Sequence, residues 1–311
     1  MNTLRLFIRL SRPLFLLGGF LMCALGVGIA DFQGTQINWG IFLLGQAWGT
    51  LIQLSTHYLN EYFDSPLDID NPNRTLFTGG SGAIGPGKLA RSTALWAAIT
   101  SLAIAASLTV LLIQYAHLNP VTLLVMLAIF LGSFFYAVPP IRLESTGYGE
   151  LTTSIIVANL APLFAYLLQG GQMNPLLAMV TFPLTTLHLA MLLTFEFPDY
   201  ATDLKYQKKT LLVRLGWQNG LKLHNALIII SYLLFGLSIV QGLSLSIALP
   251  VFLTLPLGGL QIWSMNRIAA GAKPNWSSLA FVGLLLFGLA SYFLAFALWT
   301  YPLLDFLLPP W

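Results

Sequence analysis

Long apolar runs, broken only by short polar connections, recur along the chain at about 13–30, 39–63, 92–115, 120–138, 151–169, 175–197, 221–241, 244–263 and 279–299. Each is near the ~20 residues that an α-helix needs to cross a hydrocarbon core ~30 Å thick. Lipid offers no partner to backbone N–H and C=O groups, so a chain built of such runs is confined to bundled helices. Composition agrees, because 8% of the 311 residues are charged against about 25% in a soluble domain, and the mean hydropathy is +0.78. The expected fold is all-α, a multi-pass membrane protein of about nine transmembrane helices forming one domain over 1–311. A soluble two-domain enzyme is excluded. Connections as short as 116–119 and 170–174 force antiparallel neighbours.

An odd number of spans puts the termini on opposite sides, and the bases test that arrangement. Arg5, Arg9 and Arg12 precede the first run; Arg74, Lys88 and Arg91 lie between the second and third; Arg142 lies between the fourth and fifth. Lys205, Lys208, Lys209, Arg214 and Lys222 lie between the sixth and seventh, with Arg267 and Lys273 between the last two. All 14 fall on one side, which the positive-inside rule makes cytoplasmic, with the N-terminus inside and the C-terminus outside. Asp31 and Asp305 are the charges expected opposite. The net charge of +3 is thus a topology signal, and no nucleic-acid partner is expected. The first run, about 18 residues, exceeds a secretory h-region of about 7–15 and reads as a retained span. A single cysteine, Cys23, excludes a disulfide framework or Cys-based metal site.

Nine of the eleven acids lie on or beside the basic face. Asn60, Asp64 and Asp68 are spaced by four at the end of the second run, before Asp70, and Asp199 and Asp203 repeat the spacing after the sixth. Residues four apart share a helix face, and Pro66 bends or ends the first helix near Asp68. Clustered carboxylates at a bilayer persist where a positive group compensates them. Mg²⁺ suits such oxygen donors and commonly shares its shell with substrate phosphates, so two clusters can clamp a diphosphate. The alternative, solvated loop acids or helix caps, fits any one Asp but not two matched sets. Their placement four spans apart also predicts a parallel repeat of helices 1–4 in helices 5–8.

Arg74 follows Asp70, and Lys205, Lys208 and Lys209 follow Asp203; each can bind phosphate oxygens, although topology alone expects cytoplasmic bases. The glycines of 79–82 permit tight turns or close backbone approach to an anion. Tyr136 closes the fourth run before Pro139 and Pro140, where a phenol can line a polar mouth or belong to an interfacial belt. His57 and His188, one and two turns inside the acids, read as buried polar residues bonded to neighbouring helices.

Asn60-x3-Asp64-x3-Asp68 paired with Asp199-x3-Asp203 resembles the UbiA superfamily of intramembrane aromatic prenyltransferases. Supporting stretches are 60–64, 79–82, Tyr136 with Pro139 and Pro140, and 147–150, so the resemblance covers nearly the whole chain. The segments 199–203 and 209–216 look most like the branch that prenylates 1,4-dihydroxy-2-naphthoate in menaquinone synthesis, in a bacterial-type plasma membrane. The resemblance implies helices around a central cavity, Mg²⁺ on both motifs, and a lateral opening where an isoprenoid tail meets lipid. It implies a polyprenyl diphosphate that ionises and a hydroxylated aromatic acceptor that captures the allylic cation. By that carry-over Asn60, Asp64, Asp68, Asp199 and Asp203 are metal-site residues. Lys209, Arg74 and Arg12 contact diphosphate, with Lys205 and Arg142 as further substrate-binding bases, and Tyr136 flanks the reactive carbon. Asp64, Asp199 and Tyr136 are the expected catalytic residues.

The sequence departs from the pattern in two places. Glu61 stands where many relatives have Asp, and Pro140 stands where ubiquinone-type relatives have Lys, leaving Arg142 as a substitute. This argues against a hydroxybenzoate acceptor while homogentisate, a chlorophyllide or a glycerol-phosphate lipid stay open. A transporter, the competing class, predicts charges near the midplane, whereas these acids gather at one face.

Overall fold

The computed structural model describes residues 2–68, 71–116 and 118–307, without the side chains of 66–68 and 302–307. Asp70 and the side chains of Asp68 and Asp305 therefore lie outside the described residues. The regular structure is helical: α1 (Thr3–Leu10), α2 (Pro13–Phe32), α3 (Trp39–Asp68), α4 (Arg91–Tyr115), α5 (Pro120–Ala137), α6 (Gly149–Ile155), α7 (Ala161–Leu168), α8 (Pro175–Glu196), α9 (Tyr200–Lys205), α10 (Leu211–Leu215), α11 (Trp217–Val240), α12 (Leu245–Phe252), α13 (Leu255–Ala269) and α14 (Trp276–Leu307). Among the described residues there is no strand, only an isolated bridge between Ile84 and Leu89.

Local chemistry sets several helix starts. The Asn119 and Asn174 side chains accept from the Thr122 and Leu176 amides, and Pro120 and Pro175 follow where a missing N–H costs nothing. All the expected runs are helical, and among the described residues eight segments, from Pro13–Phe32 to Trp276–Tyr301, are long and apolar enough to cross a membrane. The run at 39–63 is not one of the eight, although it lies in the 30-residue α3. One face of α3 explains this: Gln46, Thr50, Gln53, Thr56, His57, Asn60 and Asp64 recur every three or four residues and line an interior cavity.

Two expected runs are composite. The 151–169 run is α6, a π-helical turn at Ile156–Leu160, and α7. The 244–263 run is α12 and α13, which break between Pro250 and Pro256, each lacking the N–H that a continuous helix needs. The basic N-terminal segment forms α1, whose Leu6 and Leu10 join Tyr58 and Leu59 of α3 while Arg5 and Arg9 stay exposed.

Packing in such a bundle depends on close approach, because lipid tails are as apolar as leucine. A Cβ on Gly26 of α2 would stand 2.1 Å from the Pro162 carbonyl oxygen, so α2 meets α7 at backbone distance. α2 also packs on α14, α3 on α4, and α8 on α11. The inner faces meet in a core that includes Met22, Leu25, Phe164, Leu184 and Leu187, and the outer faces carry exposed aliphatics such as Ile99, Val110 and Ile113 of α4.

Candidate active site

The bundle encloses a cavity of about 490 Å³, walled by α2, α3, α5, α6, α8 and α14 and by the 71–80 and 206–210 connections. Its polar end presents Arg12, Asn60, Asp64, Asn71, Glu144, Glu150, Glu196, Asp199, Asp203 and Lys208. The rest is mostly apolar, with Leu17, Leu21, Trp48, Ile129, Phe164 and Phe287 among its lining, interrupted by polar groups such as Gln46, Gln53, His57 and His188.

Asn60 and Asp64 enter from the last turns of α3, one turn apart as their spacing requires. Asp64 is 2% exposed; Oδ1 accepts from Arg142 Nη2 at 2.8 Å and Oδ2 from Lys208 Nζ at 2.5 Å. Glu144, in the α5–α6 connection, accepts from the same Arg142 Nη2 at 3.0 Å and from the Asn60 amide, and Lys208 Nζ lies 4.0 Å from its other oxygen. Two acids and two bases thus share one buried network. Burial pushes the Glu144 carboxyl up to about 7, aided by Asp64 and opposed by Lys208 and Arg142. Burial also weighs against the Lys208 ammonium, yet Asp64, Glu144 and Asp203 together hold it well above the usual lysine range.

Asp199 precedes α9 and is held differently. Oδ1 accepts from Asn71 Nδ2 at 2.6 Å and Oδ2 from the Gly79 amide at 3.0 Å. Burial raises this carboxyl to about 6, with those two hydrogen bonds opposing. Asp203 lies one helical turn on, its amide 2.9 Å from the Asp199 carbonyl, and also faces the cavity. The glycine segment therefore binds the protein's own anions: Gly79 N–H serves Asp199, and Ser81 N–H serves Glu61, which also pairs with Arg12 Nη2 at 2.5 Å. Gly82 is favoured by its left-handed φ of 65°, and the end of the Arg74 side chain occupies the space where a Cβ would stand.

Backbone conformation aims the bases. Among the described residues the non-glycine residues with positive φ are Arg12 (49°), Arg142 (45°) and Gln207 (55°). Two are site cations and the third immediately precedes Lys208. Left-handed backbone costs an L-residue roughly 1–2 kcal/mol, so the surrounding contacts hold these turns in place.

Of the residues expected from sequence, Arg12, Asn60, Asp64, Tyr136, Asp199 and Asp203 line the cavity, and Arg142 joins it through Asp64. Arg74 borders a separate surface recess with Lys273 and Trp276. Lys205 and Lys209 are exposed and outside the cavity, with Lys205 Nζ 4.9 Å from the centre of the Tyr206 ring. Lys208, beside Lys209, is the lysine of this segment that lines the cavity and bonds Asp64, directly after the left-handed residue Gln207. Sequence reasoning missed the hub role of Glu144, for which the signal was its closeness to Arg142. It also missed Asn71, Glu150 and Glu196; the two glutamates line the cavity and accept from the Leu211 and Leu212 amides at 3.3 and 2.9 Å.

Among the described residues no group of three His, Cys, Asp or Glu side chains could hold a metal ion. The donor chemistry nevertheless suits a hard cation, since the amide and carboxylates converging here offer oxygen alone. Both Asp64 oxygens already accept from cations, so a metal bound there competes with Lys208.

The sequence matches the family described as the UbiA prenyltransferase family over residues 20–281. It is 26% identical over 248 residues to the 1,4-dihydroxy-2-naphthoate octaprenyltransferase of Bacillus subtilis, covering 80% of this chain and 78% of that protein. Among solved structures, the fold is similar to a UbiA homolog from Archaeoglobus fulgidus bound to GPP and Mg²⁺, with a TM-score of 0.59 at 16% identity, covering 93% of this chain and 99% of that one. The apo UbiA homolog from Aeropyrum pernix K1 matches with a TM-score of 0.59 at 15% identity, covering 93% and 98%.

Proposed function

This chain belongs to the UbiA prenyltransferase family, and on that premise we propose that it transfers a polyprenyl group from its diphosphate to 1,4-dihydroxy-2-naphthoate, with Mg²⁺, in menaquinone biosynthesis. The observation that carries the reading is the convergence of Asn60 and Asp64 with Asp199 and Asp203 on one cavity that also holds Arg12 and Lys208 and whose deeper lining is mostly apolar and aromatic. The named activity of the Bacillus subtilis relative supports the naphthoate acceptor, and the solved relative with GPP and Mg²⁺ supports a metal-held diphosphate.

In this reading Asn60, Asp64, Asp199 and Asp203 hold the metal, with Asp68 at the end of the same helix. Bound Mg²⁺ supplies charge neutralisation for the departing diphosphate. Lys208 exchanges its bond to Asp64 for one to a diphosphate oxygen, while Arg142 and Arg12 add positive potential. Phe15, Phe77, Phe195 and Phe287 line the path with Tyr136. They exclude water from the allylic cation and offer it π faces, each worth about 0.5–2 kcal/mol. The polar end belongs to the cytoplasmic face, with the N-terminus inside and the C-terminus outside, because the bases cluster there. The repeat of helices 1–4 in helices 5–8 belongs to the same proposal, since α3 and the α8–α9 segment each deliver an acidic set to one cavity.

Purified enzyme given farnesyl diphosphate, Mg²⁺ and a panel of 1,4-dihydroxy-2-naphthoate, homogentisate, 4-hydroxybenzoate and a glycerol-phosphate lipid tests the proposal. The expected product is a prenylated naphthalene-diol that has lost CO₂ and does not form in the presence of chelator. Transfer to another acceptor alone overturns the naphthoate assignment, and transfer undiminished by chelator overturns the metal.

A further inference from the structure

Deeper than the acids, the wall formed by α6 and α8 carries a histidine that the transfer scheme above does not use. His188 lines the cavity two turns inside Glu196 and is 4% exposed. Its Nδ1 lies 3.0 Å from Ser154 Oγ, and Ser154 Oγ lies 2.8 Å from the Glu150 carbonyl oxygen. A carbonyl has no hydrogen to give, so the one serine hydrogen lies on that second contact. Ser154 Oγ can then only accept from the ring, which assigns the hydrogen to Nδ1. No carboxylate bonds to the imidazole among the described residues, and an uncompensated charge at this depth is costly, so the ring is neutral with its lone pair on Nε2. Among the described residues Nε2 has no protein hydrogen-bond partner, and it is not closed off by packing but opens onto the cavity.

The ring's other neighbour is Phe287, edge-on with centroids 4.7 Å apart, which also lines the cavity. An aromatic wall beside one outward-facing hydrogen-bond acceptor is complementary to a phenol. Neither an isoprenoid tail nor an ionised diphosphate has a hydrogen to donate, so of the two proposed substrates only the aromatic one can use Nε2. We propose that His188 Nε2 accepts a hydrogen bond from a ring hydroxyl of the aromatic acceptor and so positions the ring for attack on the allylic carbon. The inference rests on the aromatic-acceptor reading above. The bond also leaves more electron density on the phenolic oxygen, which makes the ring carbons ortho and para to it better nucleophiles.

Two substitutions separate the two ends of the imidazole. In His188→Asn the amide N–H can replace Nδ1–H toward Ser154, but nothing reaches the position of Nε2; His188→Gln reaches that position with an acceptor oxygen. With farnesyl diphosphate and 1,4-dihydroxy-2-naphthoate, His188→Asn is expected to raise KM for the naphthoate roughly tenfold. KM for farnesyl diphosphate stays unchanged, and His188→Gln recovers most of the loss. Methylation of one naphthoate hydroxyl should cost wild-type enzyme a similar factor and cost His188→Asn nothing further. Unchanged naphthoate KM in a folded His188→Asn enzyme overturns the assignment, as does wild-type enzyme indifferent to both O-methyl ethers, a result that needs no variant. Wild-type enzyme that prenylates no aromatic acid at all instead removes the reading beneath it.

Discussion

The two acidic segments share a four-residue spacing and answer their charge in opposite ways. Asp64 is met by two full positive charges, Arg142 and Lys208, within a network that also holds Glu144 and Asn60. Asp199 is met by dipoles, the Asn71 amide and the Gly79 N–H, and its carboxyl is raised to about 6 by burial. One side of the cavity is electrostatically balanced by cationic side chains; the other is shaped by neutral donors, with Lys208 and Arg12 acting on Asp199 only at longer range. In the proposed reaction a metal diphosphate would have to exchange with cations already bonded to Asp64, whereas at Asp199 it would meet hydrogen-bond donors without a bonded cation.

The largest expected effect tests whether both acids serve the reaction. Asp64→Asn and Asp199→Asn should each lower transfer by about 10³-fold or more, measured as prenylated product from purified enzyme. The contrast lies in stability. Asp64→Asn leaves Arg142 and Lys208 with less counter-charge and should cost roughly 1–3 kcal/mol, since both cations are partly screened by solvent. Asp199→Asn turns an N–H toward one of the two donors but also removes a charge that burial disfavours, so it should melt near wild type, and equal melting of the two variants would erase the distinction between the segments.

A smaller effect separates adjacent lysines. Lys208→Met should raise KM for the diphosphate by roughly 10–100-fold, whereas Lys209→Met should stay within about twofold, because only Lys208 enters the cavity. Reversal of that order would show that the segment after Asp203 turns the other way. Next, Asn71→Ala unhooks Asp199 and should cost about 1–2 kcal/mol in thermal or denaturant unfolding. Smallest of all is Gly82→Ala. Its φ of 65° and the Arg74 side chain packed on it oppose a methyl group, and the glycine loop serves both acidic segments. A loss of about 1 kcal/mol is expected, with the two segments disturbed together.

The fold was largely legible because its signals are local. Run length and apolarity located the helices, and Asn119 and Asn174 with their following prolines marked starts that the structure retains. Legibility failed where tertiary contact changes a local rule. The 151–169 run reads as one helix, yet it takes a π turn where Ile156 packs against Gly132. The glycines of 79–82 suggested anion contact, and the anions are carboxylates of the chain itself. Among the site residues, Asn60, Asp64, Asp199 and Asp203 were readable from spacing. Glu144 and Asn71 were not, because neither belongs to a periodic pattern.

The sequence by itself determined the solvent, the helical class, the segregation of bases and the two acidic sets, since hydropathy and four-residue spacing act within a helix. Only the tertiary structure decided which charges meet. Arg142 reaches Asp64 across 78 residues, Lys208 reaches it across 144, and Gly79 reaches Asp199 across 120. The first two pairings involve left-handed turns at Arg142 and Gln207, whose cost is offset only once the bundle has brought the partners together.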